Sequence, residues 1–206
     1  MTFKTFSVIK KGAAMPKIFS EDDKEKLRTM LIETGFEILR SSGLDGVNVD
    51  ELCRKCYIAK GTFYNFFETK AEYIYQMMLF ERERSKRELS SRLNENGRLT
   101  SSALRSYLIW LRDENPNVFS YLTDKEQKML ISKWRPEYLE NRQNDEQTMQ
   151  AIISLLERPA PQPDWKNACN LMKMLAIALT MPEVFIADAF ESTTEILIDK
   201  IVECLT

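Results

Sequence analysis

The chain contains no histidine, and this absence removes several classes of site at once. Catalysis by Ser-His-Asp or Cys-His groups, zinc sites with histidine ligands and haem sites with a histidine ligand are all excluded. Glycine is also scarce, because the chain has only six, none of them after Gly97. Sandwich and doubly wound sheets depend on tight turns, so a glycine-free second half argues against both.

Cysteine, net charge and long apolar runs are limited as well. Four cysteines are too few for a disulfide scaffold, and no apolar run reaches the roughly 18 residues of a membrane span. The formal charge of −2, from 29 basic and 31 acidic residues, excludes attachment to nucleic acid by overall positive charge. With no signal-peptide pattern, we expect a cytoplasmic protein without a metal, a cofactor or a membrane partner.

Prolines rather than glycines divide the second half of the chain. The segments between them have helical length and helical spacing of apolar residues. We therefore predict an all-α protein with about nine helices. Four N-terminal helices are expected, the first from Ser20 to Gly43–Gly46 and the others over 49–55, 59–66 and 69–93. Five more are expected near 101–114, 117–133, 136–157, 164–181 and 183–205.

The organisation predicted from these segments has four parts. Residues 1–19 carry four lysines and no acid, which predicts a disordered basic arm, and Met15 is an alternative translation start. Residues 20–68 are expected to form a helix-turn-helix domain, 69–98 a connecting helix, and 99–206 a larger helical domain. Chain length permits either one domain or two small ones.

Capping residues support the layout of the first domain. Ser20 can cap the first helix, and Asn48 followed by Glu51 is the reciprocal capping pattern for the second. Thr69 can cap the fourth. Two short helices joined by a turn of three to four residues, with a longer helix before them, are typical of a helix-turn-helix.

The segment 47–73, VNVDELCRKCYIAKGTFYNFFETKAEY, closely resembles the DNA-binding signature of TetR-type (TetR/AcrR) transcriptional regulators. The most specific part is IAKGTFYNFF followed by Thr69-Lys70. The resemblance implies a bacterial, cytoplasmic homodimer that binds a palindromic operator in double-stranded DNA and responds to a small-molecule effector. It also implies a C-terminal domain that binds the effector and forms the dimer.

Residue types on the third helix fit such a role. Gly61 allows a close approach of the backbone at a helix-propensity cost of up to ~1 kcal/mol, while Phe63, Phe66 and Phe67 are expected to face the core. Residues 52–70 carry four cations and one carboxylate, a local charge of +3. By resemblance the DNA-binding residues are Lys60, Gly61, Thr62, Tyr64, Asn65 and Lys70, with Asn48 and Tyr57 beside them.

Two positions depart from the family pattern. Ala59 stands where a serine often caps the third helix, so one cap is expected to be missing. Tyr57 stands where a glycine usually makes the turn, so either the turn is distorted or Tyr57 itself contacts the DNA backbone.

The last two predicted helices are apolar on more than one face, which implies a partner. By resemblance to the family, these helices form a twofold interface that includes Trp165, Cys169, Met172, Phe185, Phe190, Ile196, Leu197 and Ile201. By resemblance the domain also encloses a pocket for an apolar or aromatic effector, with candidate residues Tyr107, Trp110, Leu111, Phe119, Tyr121, Met129, Trp134 and Met174. The same stripe would also fit an ordinary core.

Two other functions remain open at this stage. Cys53 and Cys56 form a C-x-x-C pair that could serve as a thiol switch, although two small residues packed against the third helix explain it better. A helical enzyme with a vestigial helix-turn-helix is the other alternative. The sequence shows no nucleophile-base pair or phosphate loop, so we expect no enzymatic activity. The resemblance implies a regulator that acts as a repressor.

Overall fold

A computed structural model describes residues 20–114, 118–135 and 145–206. These residues contain nine α-helices and no strand beyond one bridge between Leu99 and Leu156. The helices are α1 (Glu21–Gly46), α2 (Val49–Lys55), α3 (Lys60–Tyr64), α4 (Lys70–Ser91), α5 (Ser101–Glu114), α6 (Asp124–Ser132), α7 (Asp145–Leu155), α8 (Trp165–Thr180) and α9 (Ala187–Leu205). Two 3-10 helices are η1 (Val118–Tyr121) and η2 (Pro182–Val184). The predicted all-α class is confirmed, and the predicted arm at 1–19 lies outside the described residues.

Capping explains where the first helix begins and glycine explains where it changes direction. The Ser20 hydroxyl accepts a hydrogen bond from the Asp23 N–H at 3.1 Å, and the Asp23 carboxylate accepts one from the Ser20 N–H at 3.3 Å. Gly43 has φ +64°, so the regular helix is interrupted there and a last turn runs to Gly46. Glycine accepts this conformation without steric cost.

The prediction of a single helix over 117–133 is wrong. The structure has η1 and α6 there instead, because Thr123 forms a reciprocal capping box with Glu126 and starts a new helix at Asp124. A pair of terminal hydrogen bonds of this kind sets the entry of a helix within one residue. The sequence carries the signal for this cap, a threonine followed three residues later by a glutamate.

Two hydrophobic cores divide the described residues. The first core joins α1, α2, α3 and α4 to Val118, Leu122, Leu130 and Trp134 of the η1–α6 segment. The second joins α5, α7, α8 and α9. The N-terminal unit is therefore completed by residues that follow α5 in the chain.

Contact between α1 and α4 is unusually close at Gly35. The buried Tyr73 hydroxyl donates to the Leu31 carbonyl at 2.6 Å, and its oxygen would lie 1.9 Å from a Cβ atom at Gly35. Any side chain at Gly35 would therefore overlap Tyr73. Burial also raises the pKa of Tyr73, so its hydroxyl stays protonated and remains a donor.

None of the helices in the described ranges is both long enough and apolar enough to cross a membrane.

Candidate nucleic-acid interface

The first short helix of the motif, α2, has the bounds that its sequence predicts. The Asn48 side-chain oxygen accepts from the Glu51 N–H at 2.7 Å, which confirms Asn48 as the cap. The return bond expected from Glu51 is not formed, because its carboxylate binds the Arg54 guanidinium at 2.6 Å. Asn48 is exposed, so its amide group remains at the surface beside the motif.

The turn between α2 and α3 keeps a regular geometry despite Tyr57. The Ile58 N–H donates to the Cys53 carbonyl at 3.0 Å and the Tyr57 N–H donates to the Arg54 carbonyl at 3.4 Å. This pair of bonds is the Schellman arrangement, which needs a left-handed residue after the helix cap. Tyr57 supplies it with φ +55° and leaves its side chain 95% exposed. The turn is therefore undistorted, and the tyrosine itself takes the strained conformation.

The recognition helix candidate, α3, is held from behind by aromatic rings. Phe63 and Phe67 are completely buried, with ring centroids 5.3 and 4.9 Å from the Tyr73 ring. Phe66 is partly buried against the same core. The expectation that these phenylalanines face inward is confirmed. Ala59 precedes the helix without a side-chain cap, as its sequence predicts.

The opposite edge of α3 faces outward. Lys60 and Asn65 are exposed, Tyr64 is 46% exposed and Thr62 is half-buried. A Cβ atom added at Gly61 would meet no atom of the described residues within 4 Å. Five of the predicted DNA-binding residues therefore lie on or directly beside this short helix, and the described part of the chain leaves the space at Gly61 open.

The charge beside this edge is lower than residues 52–70 suggested. The Lys60 ammonium lies 2.9 Å from the Asp50 carboxylate, and Arg54 is paired with Glu51. Counting these two acids, residues 50–70 hold four cations and three carboxylates, a net charge of +1. The hydrogen bond that Lys60 donates to the Asp50 carboxylate raises the pKa of Lys60, so the ammonium group stays charged. Exposed pairs are weak, so a phosphate can replace Asp50 at little cost.

Lys70 does not extend outward as a phosphate contact would. Its ammonium group donates to the Leu44 carbonyl at 2.9 Å and is half-buried. Burial lowers the pKa of this lysine. The position predicted to hold a phosphate instead ties the start of α4 to the end of α1, a contact that no sequence spacing could reveal.

The C-x-x-C pair lies in the core. Cys53 and Cys56 are buried, and the Cys56 thiol donates to the Thr34 hydroxyl at 3.4 Å. Burial raises the pKa of both thiols, which disfavours the reactive thiolate. Within the described ranges, no group of three or more Cys, Asp or Glu side chains is placed to hold a metal ion.

The seven predicted effector residues whose side chains are described do not gather around one space. Tyr107 and Trp110 are stacked at 6.1 Å, with Leu111 packed on the second core. Tyr121 and Trp134 belong to the first core. Met129 lines a separate cavity between α4 and α6, whereas Met174 is 55% exposed on the surface. The Phe119 side chain lies outside the described residues. Helical spacing could not tell which core each residue would join.

An exposed apolar surface covers the end of α8, η2 and the start of α9. Seven of the eleven exposed large hydrophobic residues of the described chain lie here: Met174, Ile177, Met181, Val184, Phe185, Ile186 and Ile196. We call these seven residues the α8–α9 apolar surface. Such a concentration is unusual on a monomer and is typical of an interface.

Only part of the predicted dimer residues lies on this surface. Phe185 and Ile196 belong to it, and the half-buried Phe190 ring lies 5.5 Å from that of Phe185. Cys169 and Ile201 are buried in the chain's own second core, which corrects their assignment to an interface. Trp165, Met172 and Leu197 are partly buried against that core. The residues missed, such as Ile177 and Ile186, lie near the proline break that the sequence does show.

The fold has relatives among solved structures. A transcriptional regulator from Rhodococcus sp. Rha1 is 19% identical and covers 86% of this chain and 97% of its own, with a TM-score of 0.61. TetR-family regulators from Haemophilus influenzae Rd and Marinobacter aquaeolei VT8 are 15% and 13% identical. They cover 88% and 90% of this chain and 97% and 98% of their own, with TM-scores of 0.55 and 0.52.

Comparison with protein-family models and with the sequences of curated proteins gives no match. The likeness is therefore one of architecture, and it extends over nearly the full length of these regulators. The chain has the fold of TetR-family transcriptional regulators.

Proposed function

We propose that the protein is a dimeric, sequence-specific DNA-binding transcriptional regulator without enzymatic activity, acting as a cytoplasmic repressor. The observation that carries the proposal is the outer edge of α3. Lys60, Tyr64 and Asn65 are exposed there, and Gly61 leaves space that none of the described residues fills. Short helices with polar outer edges and rigid aromatic backing suit the major groove of DNA.

Dimerisation supplies the second half of the site. The α8–α9 apolar surface needs a partner, and a second copy of the chain presents the same apolar residues to it. A twofold dimer places two α3 helices on one side of a duplex, and a spacing of roughly 34–36 Å would match one helical turn. The operator is then a palindrome.

Control by a small effector completes the proposal. The chain has aromatic residues in its second half, of which Tyr107 and Trp110 are stacked, and a cavity lies beside α4. The cavity is of a size that suits a small effector with a largely apolar or aromatic body. Binding of the effector lowers operator affinity and releases the repressor, because the effector binds better to the form that does not bind DNA.

The DNA-binding proposal is tested by selecting duplexes from a random pool with the purified protein, followed by Gly61→Ala. Adding a methyl group to α3 should leave folding unchanged or stabilise it by up to ~1 kcal/mol, since the position is open. It should nevertheless weaken operator binding about tenfold or more. Ser90→Ala, an exposed change on α4, is the matched control. Failure to select any palindromic sequence, or full operator affinity in Gly61→Ala, would overturn the proposal.

The dimer is tested with Ile177→Glu, which places a charge within the α8–α9 apolar surface. Ile177 is 56% exposed, so the change should leave the monomer folded while sedimentation shows loss of the dimer. Met30→Glu, at a 40% exposed methionine on α1, is the control and should stay dimeric. A wild-type protein that sediments as a monomer at micromolar concentration would contradict the proposal.

A further inference from the structure

A cavity of about 380 Å³ opens where the end of α1, the start of α4 and α6 meet. Its volume lies within the range of small-molecule sites, roughly 300–1,000 Å³. Leu44, Ala71 and Met129 contribute apolar wall, and Lys70 and Lys133 contribute charge. This cavity is separate from the stacked pair on α5 and is formed by residues of both the motif and the η1–α6 segment.

The two lysines make one end of the cavity suitable for an anion. Burial lowers the pKa of Lys70, Asp45 opposes this effect, and the nearby Lys133 ammonium lowers the pKa further. Lys133 is exposed and makes no ion pair within the described part of the chain. Glu126 is also near Lys70, but its carboxylate is held by the cap of α6. Glu126 keeps its negative charge but does not line the cavity, whose own lining carries two ammonium groups and the Asp45 carboxylate, a net charge of +1.

The start of α4 adds to this preference. Lys70 and Ala71 belong to the first turn of a helix of 22 residues, where the helix dipole favours negative charge. An anion alone would leave the apolar wall exposed, and an apolar molecule alone would bring no negative charge to the two ammonium groups. A ligand with both parts matches the cavity better than either.

We propose that this cavity binds a small amphipathic carboxylate, with its head group on Lys70 and Lys133 and its apolar body against Leu44, Ala71 and Met129. The carboxylate takes the place of the Leu44 carbonyl as the acceptor for the Lys70 ammonium. The ligand buries apolar area at roughly 25 cal/mol per Å² and gains two charge-assisted contacts.

Occupancy of the cavity changes DNA affinity, and this second step rests on the proposed function. Leu44 precedes the helix-turn-helix and Lys70 follows it, so their hydrogen bond joins the two ends of the motif. A ligand that draws Lys70 away releases this link and loosens the position of α3. The ligand therefore binds more tightly to the form of the protein that does not bind DNA. By linkage, bound ligand lowers the affinity for DNA by the same factor as bound DNA lowers the affinity for the ligand.

The binding step is tested by calorimetry without DNA, using octanoate, octylamine, 1-octanol and inorganic phosphate as probes. Octanoate should bind at least tenfold more tightly than each of the other three. Lys133→Ala should weaken octanoate binding about tenfold. Lys128→Ala, at an exposed lysine on the same helix that pairs with Asp124, should leave it unchanged. Equal binding of octanoate and octylamine, phosphate binding as tight as octanoate, or equal effects of the two lysine variants would overturn the proposal.

A second variant, Ala71→Leu, tests the cavity itself. The larger side chain fills the cavity and should abolish octanoate binding, while circular dichroism shows that the protein is still helical. If this variant fails to fold, the result for Lys133→Ala decides the test. Saturating octanoate should then weaken operator binding at least threefold in the wild type and not in Lys133→Ala. Octanoate binding without this effect overturns the regulatory step. Absence of operator binding in ligand-free protein instead overturns the proposed function and leaves the calorimetric result standing.

Discussion

Replacing Tyr57 by glycine should stabilise the fold and weaken DNA binding at the same time. Tyr57 holds φ +55° in the turn between α2 and α3, a conformation that costs an L-residue about 1–2 kcal/mol. Glycine removes this cost but loses more chain entropy on folding, about 0.5–1 kcal/mol. The side chain is 95% exposed, so its removal sacrifices almost no packing. The net gain is about 0.5–1 kcal/mol.

Thermal and urea denaturation measure the first effect. For a chain of this length the gain corresponds to a rise in Tm of about 2 °C, with an unchanged m-value. Tyr57→Ala is the matched control, because it removes the same ring and keeps the left-handed residue. We expect Tyr57→Ala to show no stabilisation, so the difference between the two variants isolates backbone strain from loss of the ring.

Operator binding measures the second effect. If Tyr57 touches the DNA backbone, both variants lose affinity by a similar factor of about three to ten, since both lack the phenol. If the Tyr57→Gly protein proves less stable than the wild type, the assignment of backbone strain to this turn is refuted. Wild-type operator affinity in both variants would refute the contact and leave Tyr57 as an exposed residue without a role in DNA binding.

Three further changes test other parts of the structure. Asp50→Asn frees Lys60 from its partner and removes a negative charge beside the duplex, so operator affinity should rise two- to fivefold, by fluorescence anisotropy. Lys70→Met should weaken operator binding without changing the slope of log K against log salt, because the Lys70 ammonium binds the Leu44 carbonyl. Lys60→Met should lower that slope by about 1. Equal slopes in the two variants would contradict the inward role of Lys70. Gly35→Ala should destabilise the fold by about 2–3 kcal/mol in urea titrations, and less than additively with Tyr73→Phe.

Local signals in the sequence predicted much of the fold. The bounds of α2 and α5 agree with the structure to the residue, and the caps at Ser20, Asn48 and Thr69 are all formed. These features depend on a few neighbouring residues, whose hydrogen bonds the sequence shows directly. Apolar spacing likewise identified Phe63 as a core residue of α3.

Features that depend on distant residues could not be predicted in the same way. Spacing showed that Lys70 begins a helix, but not that its ammonium would reach the Leu44 carbonyl 26 positions earlier. The sequence assigned Ile201 and Ile196 alike to an interface, although Ile201 is buried in the second core and Ile196 is 68% exposed. A single helical face does not reveal which neighbour covers it, because that depends on tertiary packing.

The arrangement of the first core limits how this protein can be divided. Val118, Leu122, Leu130 and Trp134 complete the packing of α1 to α4, although α5 separates them from α4 along the chain. A fragment that ends between α4 and α5 would lack these four side chains, so the part of the first core that they cover would be exposed to water. In a chimaera joined at the same point, residues of an unrelated protein would have to pack there instead. Exchange of DNA specificity between relatives of this architecture therefore requires grafting the outer edge of α3 alone, with the segment from Val118 to Trp134 kept beside its native helices.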